Sequence, residues 1–112
     1  MIIALPIAEE KVCMHFGHCQ TFAFYEVDTT EKTITKVTSL VPPPHEPNIL
    51  PPWIKEQGAD VVITGGMGAR AQNLFQAAGV QVVTGAPALD PVDVVNSYLQ
   101  QELELSENPC DH

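Results

Sequence analysis

The densest cluster of reactive side chains in this sequence spans seven residues near its start. It contains two thiols, two imidazoles and a thioether, in the order Cys13-Met14-His15-Phe16-Gly17-His18-Cys19. Such donors are soft or borderline, and they suit zinc, copper(I) or iron–sulfur centres better than magnesium or calcium. The spacing is not that of a zinc finger, and no Cys-x-x-Cys pair occurs. Either Cys13, His15, His18 and Cys19 bind a soft metal, or the cysteines are small buried hydrophobes and a histidine caps a turn.

Two further pairs of metal donors lie outside this cluster. His45 and Glu46 fall within residues 41–52, where six of the ten prolines stiffen the backbone, and they are either ligands or a solvated pair. Cys110 and His112 end the sequence, and they are either two ligands on a flexible segment or part of a disordered tail. Both pairs are candidates to complete a coordination shell.

A glycine-rich segment, Gly65-Gly66-Met67-Gly68, follows a short apolar run and precedes a helical pattern. The free backbone N–H groups of such a turn, together with the helix dipole, could hold an anion. The segment matches neither the P-loop nor the dinucleotide-binding fingerprint, so the sequence gives nucleotide binding little support. The alternative is a tight strand-to-helix turn.

The only sequence feature that hints at an enzyme is the neighbouring pair His18-Cys19. Adjacent residues on an extended segment point apart, and no Ser-His-Asp arrangement can be inferred. We therefore expect a protein that is not an enzyme. The alternative is a cysteine-dependent redox or hydrolytic enzyme that uses Cys13 or Cys19, which would need a depressed thiol pKa.

Composition limits the class of protein further. With 112 residues, of which 45 % are hydrophobic and 17 % charged, the chain is expected to form one globular domain. Fourteen acidic and five basic residues give a net charge of −9, which disfavours nucleic acid and anionic membranes as partners. The first apolar run ends at Glu9 without a basic segment before it, so neither a signal peptide nor a membrane span is predicted. Three cysteines without a secretory signal favour free thiols in a cytoplasmic protein.

The elements that must position these residues are predicted from apolar periodicity and turn residues. Five runs are predicted to be strands: 1–7, 22–27, 33–39, 60–64 and 80–84. The second and third form a hairpin with the third at the sheet edge, and residues 8–21 before it are expected to be irregular. Three helices are predicted: one over 51–57, one after Gly68 that ends at Gly79, and one that begins at Asp90-Pro91.

The predicted helices carry apolar stripes that should face a sheet. These stripes comprise Ala71, Leu74, Phe75 and Ala78 on the second helix, and Val95, Tyr98, Leu99 and Leu103 on the third. Alternation of strands and helices in the second half implies parallel pairing, whereas the hairpin is antiparallel. The expected fold is therefore α/β, with a mixed sheet of about five strands flanked by helices. We expect residues 1–105 to form the domain and residues 106–112 a Cys-x-His tail.

Several segments, taken in order, resemble a known family. They are His15-Phe16-Gly17 after an N-terminal strand, the strand at 22–28, GADVVITGGMG at 58–68 and GVQV at 79–82. Together they are similar to the dinitrogenase iron-molybdenum cofactor biosynthesis family, which includes NifX-like and NifB C-terminal-like domains. The resemblance extends to about Leu103, and this chain looks like one of the small stand-alone members.

The resemblance implies a ribonuclease-H-like motif with a five-stranded mixed sheet, and a role as a carrier or chaperone in metallocofactor assembly. It also implies that His15 ligates a metal cluster, and that Phe16, Gly17 and the glycine turn at Gly66, Met67 and Gly68 line the same pocket. No matching set of nuclease carboxylates is present, so nuclease activity is not implied. A cofactor-assembly protein is the partner that such a role requires.

The sequence contains more candidate metal donors than the single histidine that holds a preformed cofactor. It therefore does not identify the metal or cluster that the protein binds. A zinc or copper ion, a molybdenum–copper cluster or an iron–sulfur cluster fits as well as the nitrogenase cofactor. The third alternative is an anion-sensing or partner-docking domain built on the glycine turn.

Overall fold

The structure, a computed structural model, describes residues 1–16, 19–43 and 49–106. Within these ranges the strands are β1 (Ile2–Ala8), β2 (Lys11–Val12), β3 (Thr21–Asp28), β4 (Thr33–Leu40), β5 (Val61–Ile63) and β6 (Gln81–Val83). The helices are α1 (Leu50–Glu56), α2 (Ala69–Ala77) and α3 (Pro91–Leu99). The order of strands and helices follows the prediction, with β2 as the one addition.

The strands form a mixed sheet in the order β4-β3-β1-β5-β6, with β2 paired to the end of β1. β3 and β4 run antiparallel to their neighbours, as predicted for the hairpin, whereas β5 and β6 are parallel to β1. The predicted mixed α/β architecture is confirmed, but the described sheet has six strands instead of five. The sixth strand is β2, which lies inside the segment predicted to be irregular. Its Val12 pairs with Ile7 of β1. Two residues are too few to show any periodicity.

Both faces of the sheet are covered, because successive strand side chains point to opposite sides. On β1, Ile3 and Leu5 belong to the core beneath α3, and Ala4 belongs to the core beneath α1 and α2. On β3, Tyr25 lies on the α3 face and Phe24 on the other. This burial on both sides explains why the central strands are apolar without a clean alternation.

Turn and cap residues lie at the starts and ends of the helices, as their types predict. Gly58 and Gly79 follow α1 and α2 with φ angles of +90° and +79°, a conformation that glycine adopts without steric cost. Asp90 caps α3 by accepting a hydrogen bond of 2.9 Å from the backbone N–H of Val92.

Two details of the predicted apolar stripes are wrong. Leu74 of α2 is 36 % exposed and lies beside Pro51 and Pro52, whereas Phe75 is the buried residue of that helix. Leu103 packs against the core but lies beyond the end of α3, because the chain turns at Gln101 with a φ of +61°. Among the helices described, none is long and apolar enough to cross a membrane.

Candidate metal centre

Residues 13–19, which carry the predicted metal donors, form what we call the donor loop, and its described residues, 13–16 and 19, lie at the carboxyl end of β1. At one end of the loop, the N–H of Cys13 donates to the carbonyl of Pro6 at 2.8 Å. At the other, the N–H of Gln20 donates to the carbonyl of Ile7 at 2.8 Å. Consecutive carbonyls of a strand point to opposite sides, so Cys13 and Gln20 are attached to opposite sides of β1, on the β5 side and the β3 side respectively. In open α/β sheets, the carboxyl ends of parallel strands are where ligands usually bind.

The donor loop rests directly on the glycine turn that follows β5. The N–H of Gly65 donates to the carbonyl of Cys13 at 3.0 Å, and the N–H of Phe16 donates to the carbonyl of Gly66 at 2.9 Å. The buried hydroxyl of Thr64 lies 3.4 Å from the carbonyl oxygen of Cys13. Loop and turn are therefore one hydrogen-bonded unit, although they are distant in sequence.

Gly65 has no room for a side chain. A Cβ at this position would lie 2.6 Å from the backbone Cα of Met14 and 3.1 Å from the carbonyl oxygen of Cys13. At Gly68, the N-cap of α2, a Cβ would meet nothing within 4 Å. The first glycine of the turn is thus needed for close approach of the loop, and the last is not.

The described side chains from Met14 to Phe16 differ sharply in burial. His15 is exposed and Met14 is 38 % exposed, whereas Phe16 is buried. The ring of Phe16 makes edge contacts with Phe22 and Phe75, each at a centroid distance of 5.6 Å. Phe16 therefore anchors the loop in the aromatic core while the imidazole of His15 is presented at the surface.

The two described cysteines are free thiols with different surroundings. Cys13 is buried, and its Sγ donates to the carbonyl of His15 at 3.1 Å. Cys19 is half-buried, and desolvation together with the nearby Cys13 raises its pKa to about 11 against the opposing effect of a backbone hydrogen bond. A nucleophilic cysteine needs the opposite shift, so Cys19 lacks the electrostatic environment that the cysteine-enzyme alternative requires.

The first turn of α2 contributes positive charge next to the glycine turn. It begins at the glycine turn, contains no carboxylate and carries Arg70, which is exposed. The unpaired N–H groups and dipole of a helix start favour negative charge. Of the other turn residues, Gly65, Gly66 and Met67 are buried, and the Met67 side chain belongs to the core. The backbone carbonyl of Met67 accepts a hydrogen bond from Gln72 at 2.9 Å.

The structure brings together the donor loop and the glycine turn, but it leaves several predicted site residues untested. Within residues 1–16, 19–43 and 49–106, no group of three or more His, Cys, Asp or Glu side chains could hold a metal ion. The following predicted residues lie outside these ranges: Gly17, His18, His45, Glu46, Cys110 and His112.

Sequence reasoning missed the part that the C-terminal segment plays in this site. The N–H of Gly85, just after β6, donates to the carbonyl of Gly65 at 2.7 Å. The carbonyl of Gly85 in turn accepts a hydrogen bond of 2.8 Å from the N–H of Ser106. A glycine directly after a strand was the available signal, since it often marks a close approach of another backbone.

Together, fold and site define a class of protein: a small α/β domain that presents an exposed histidine above a glycine turn, at the carboxyl edge of a mixed sheet. The family profile described as "Dinitrogenase iron-molybdenum cofactor" matches residues 1–101, and the chain belongs to this family. The predicted family is thereby confirmed. The comparison with curated proteins found no match.

Solved structures share the whole architecture. A crystal structure of PH0822 is 30 % identical, with a TM-score of 0.85 over 95 % of both chains. A protein from Methanocaldococcus jannaschii is 15 % identical, with a TM-score of 0.77 over 97 % of both chains. The apo form of the orange protein from Desulfovibrio gigas is 22 % identical, with a TM-score of 0.73 over 96 % of this chain and 94 % of that one. The last two likenesses concern the fold alone.

Proposed function

We propose that this protein binds a metal cluster or metal ion at His15 and carries it during metallocofactor assembly, without catalysing a reaction itself. The observation that supports this most is the exposed imidazole of His15, on a loop hydrogen-bonded to the glycine turn at the carboxyl edge of the sheet. The family's link to the iron–molybdenum cofactor supports the same role.

A preformed cluster fits the described donors better than a bare ion. A structural zinc ion usually takes four protein ligands, whereas a cluster brings sulfide or other ligands of its own. His15 and the electropositive start of α2 suit an anionic cluster that needs few protein donors. Among the cargoes considered, we therefore favour an iron–sulfur or molybdenum-containing cluster over zinc or copper.

The remaining predicted donors complete the proposal. Any further ligand would come from among Cys13, His18, Cys19, His45, Glu46, Cys110 and His112, and the pocket would be lined by Phe16, Gly17, Gly65, Gly66, Met67 and Gly68. Residues 1–105 would form the binding domain, and residues 106–112 a tail that supplies donors. The tail would start beside the site, because Ser106 is hydrogen-bonded to Gly85.

The proposal extends to the location of the protein, its partners and its fold family. We propose a cytoplasmic protein that hands its cargo to a cofactor-assembly protein and has neither nucleic acid nor membrane as a partner; the net charge of −9 supports this exclusion. We also propose the ribonuclease-H-like motif. Its support is the strand order, in which antiparallel β4-β3-β1 precedes parallel β5 and β6.

The direct experiment is anaerobic purification followed by metal and sulfide analysis, then titration of metal-free protein with tetrathiomolybdate, ferrous iron plus sulfide, or zinc. We expect His15→Ala to weaken binding of the cluster probes by about tenfold or more, the size of effect that losing a supporting metal-site residue produces. Asn96→Ala, on the exposed face of α3, is the control. The proposal is wrong if no probe binds the native protein, or if His15→Ala binds as tightly as the control.

A further inference from the structure

The chain returns to the candidate site after α3. It leaves the helix through Gln101, packs Leu103 against the core on the α3 face, and reaches Gly85 with Ser106. At Gly85 the backbone N–H of Ser106 donates at 2.8 Å, and its hydroxyl donates to the same carbonyl at 3.3 Å. We call residues 103–106 the C-terminal strap.

Gly85 is contacted closely by the strap. Its φ angle is +83°, and a Cβ there would collide with the carbonyl oxygen of Ser106. The same Cβ would lie 2.9 Å from the carbonyl carbon of Ser106 and 3.0 Å from its nitrogen. All three atoms are backbone, so no side-chain rotation could relieve the conflict. Only glycine permits the strap to lie where it does.

Backbone hydrogen bonds connect the strap to the donor loop through two residues. Ser106 donates to Gly85 at 2.8 Å, Gly85 donates to Gly65 at 2.7 Å, and Gly65 donates to Cys13 at 3.0 Å. Cys13 begins the loop that carries His15. The backbone at Met14 also lies so near that a Cβ added to Gly65 would be 2.6 Å from its Cα, so turn and loop are closely packed and a shift of one is expected to displace the other.

We propose that the C-terminal strap holds the donor loop in place, with Gly85 as the positioning residue that couples the two. Release of the strap removes the outer support of the Gly65 turn and loosens the backbone from Cys13 to Phe16. The consequence for cargo, weaker binding at His15, rests on the proposed function. The mechanical coupling does not, and it can be measured in metal-free protein.

The test compares Gly85→Ala with Gly79→Ala. Gly79 has a similar φ of +79° but nothing within 4 Å of an added Cβ, so it reports backbone strain without a collision. The readout is the alkylation rate of Cys13, which is 8 % exposed, measured at native pH by peptide mass spectrometry. We expect Gly85→Ala to raise that rate by about tenfold or more over Gly79→Ala, after both are corrected for their unfolded fraction.

A second variant separates the strap from a general loss of stability. Ser106→Pro removes the N–H that donates to Gly85, and we expect it to raise Cys13 alkylation by itself. In that background the excess effect of Gly85→Ala over Gly79→Ala should disappear, because the collision partner has already left. Equal Cys13 rates in Gly85→Ala and Gly79→Ala, or an excess that persists with Ser106→Pro, would overturn the coupling. Neither result depends on whether the cluster probes bind.

Discussion

At the scale of single residues, neighbours in the donor loop have very different surroundings. His15 is exposed, whereas Cys13 and Phe16 on either side of it are buried. A metal group that approaches from solvent therefore meets the imidazole before the thiol of Cys13. Recruitment of Cys13 would require its Sγ to leave the carbonyl of His15.

The alkaline titration of Cys19 gives a prediction at this scale. Its pKa is raised to about 11 by burial and by Cys13, and only the thiolate reacts with iodoacetamide. In metal-free protein the alkylation rate of Cys19 should therefore still be rising at about pH 10, where the unfolded chain has nearly reached its plateau. Peptide mass spectrometry measures this rate, and Cys19→Ser is the control. A plateau below neutral pH would instead favour the cysteine enzyme.

The same shift determines how Cys19 contributes to stability. An acid whose pKa is higher in the folded state than in the unfolded state stabilises the fold fully below its unfolded pKa. For Cys19 that contribution is present below the ordinary value of 9.0 and is lost as the pH rises towards 11. Burial and Asp90 also raise the pKa of Tyr25, which adds to the loss of stability at alkaline pH.

At the scale of elements, the site is a loop seated on a turn. The short strand β2 directs the chain back along β1, and its Val12 N–H donates to the carbonyl of Leu89 at 3.0 Å, beyond β6. Phe16 then anchors the loop in the aromatic core. Loops that follow three strands thus support the presentation of one histidine, as expected when a rigid sheet positions functional residues.

Gly65→Ala tests this arrangement. The new Cβ would lie 2.6 Å from the Cα of Met14, so the loop must move, and we expect a loss of about 1–3 kcal/mol in the free energy of unfolding. Gly68→Ala, whose Cβ meets nothing within 4 Å, should cost less than about 1 kcal/mol at its N-cap position. Urea denaturation measures both values. If both variants lose the same free energy of unfolding, the methyl group added at Gly65 does not disturb the contact between loop and turn, and the prediction is wrong.

At the scale of the whole molecule, two layers of helices cover one sheet, and the site lies at an edge where strand ends meet. The chain carries a net charge of −9, yet the first turn of α2 contains Arg70 and no acidic residue. An anionic cargo would therefore meet a locally favourable field on a molecule that repels anions at long range.

Cargo binding should stabilise the whole fold, because the site exists only when the loop and the turn are assembled. At a free probe concentration of about 100 Kd, the expected gain is about 2.7 kcal/mol, or a rise of roughly 10 °C in Tm. Differential scanning fluorimetry with tetrathiomolybdate measures it, and an unchanged shift in His15→Ala would contradict binding at that residue.

The order of strands and helices and the helix ends could be predicted from the sequence, because each depends on residues that are close together in the chain. Strand and helix order followed from apolar periodicity, and the ends of α1 and α2 followed from Gly58 and Gly79, where the φ angle is positive. The exposure of Leu74 could not be predicted in this way, because it depends on which neighbours α2 packs against. Strand β2 was missed for a similar reason, since its pairing depends on the end of β1.

Residue types and their order were enough to predict the donor loop, the glycine turn and the family. The three-dimensional fold was needed to bring these parts together: Thr64 and Cys13 are 51 positions apart, and the hydroxyl of one contacts the carbonyl of the other. It also decided that Ser106 closes onto Gly85. The physical reason is that donor type and turn preference are properties of short segments, whereas backbone contacts between distant segments depend on the packing of the complete sheet.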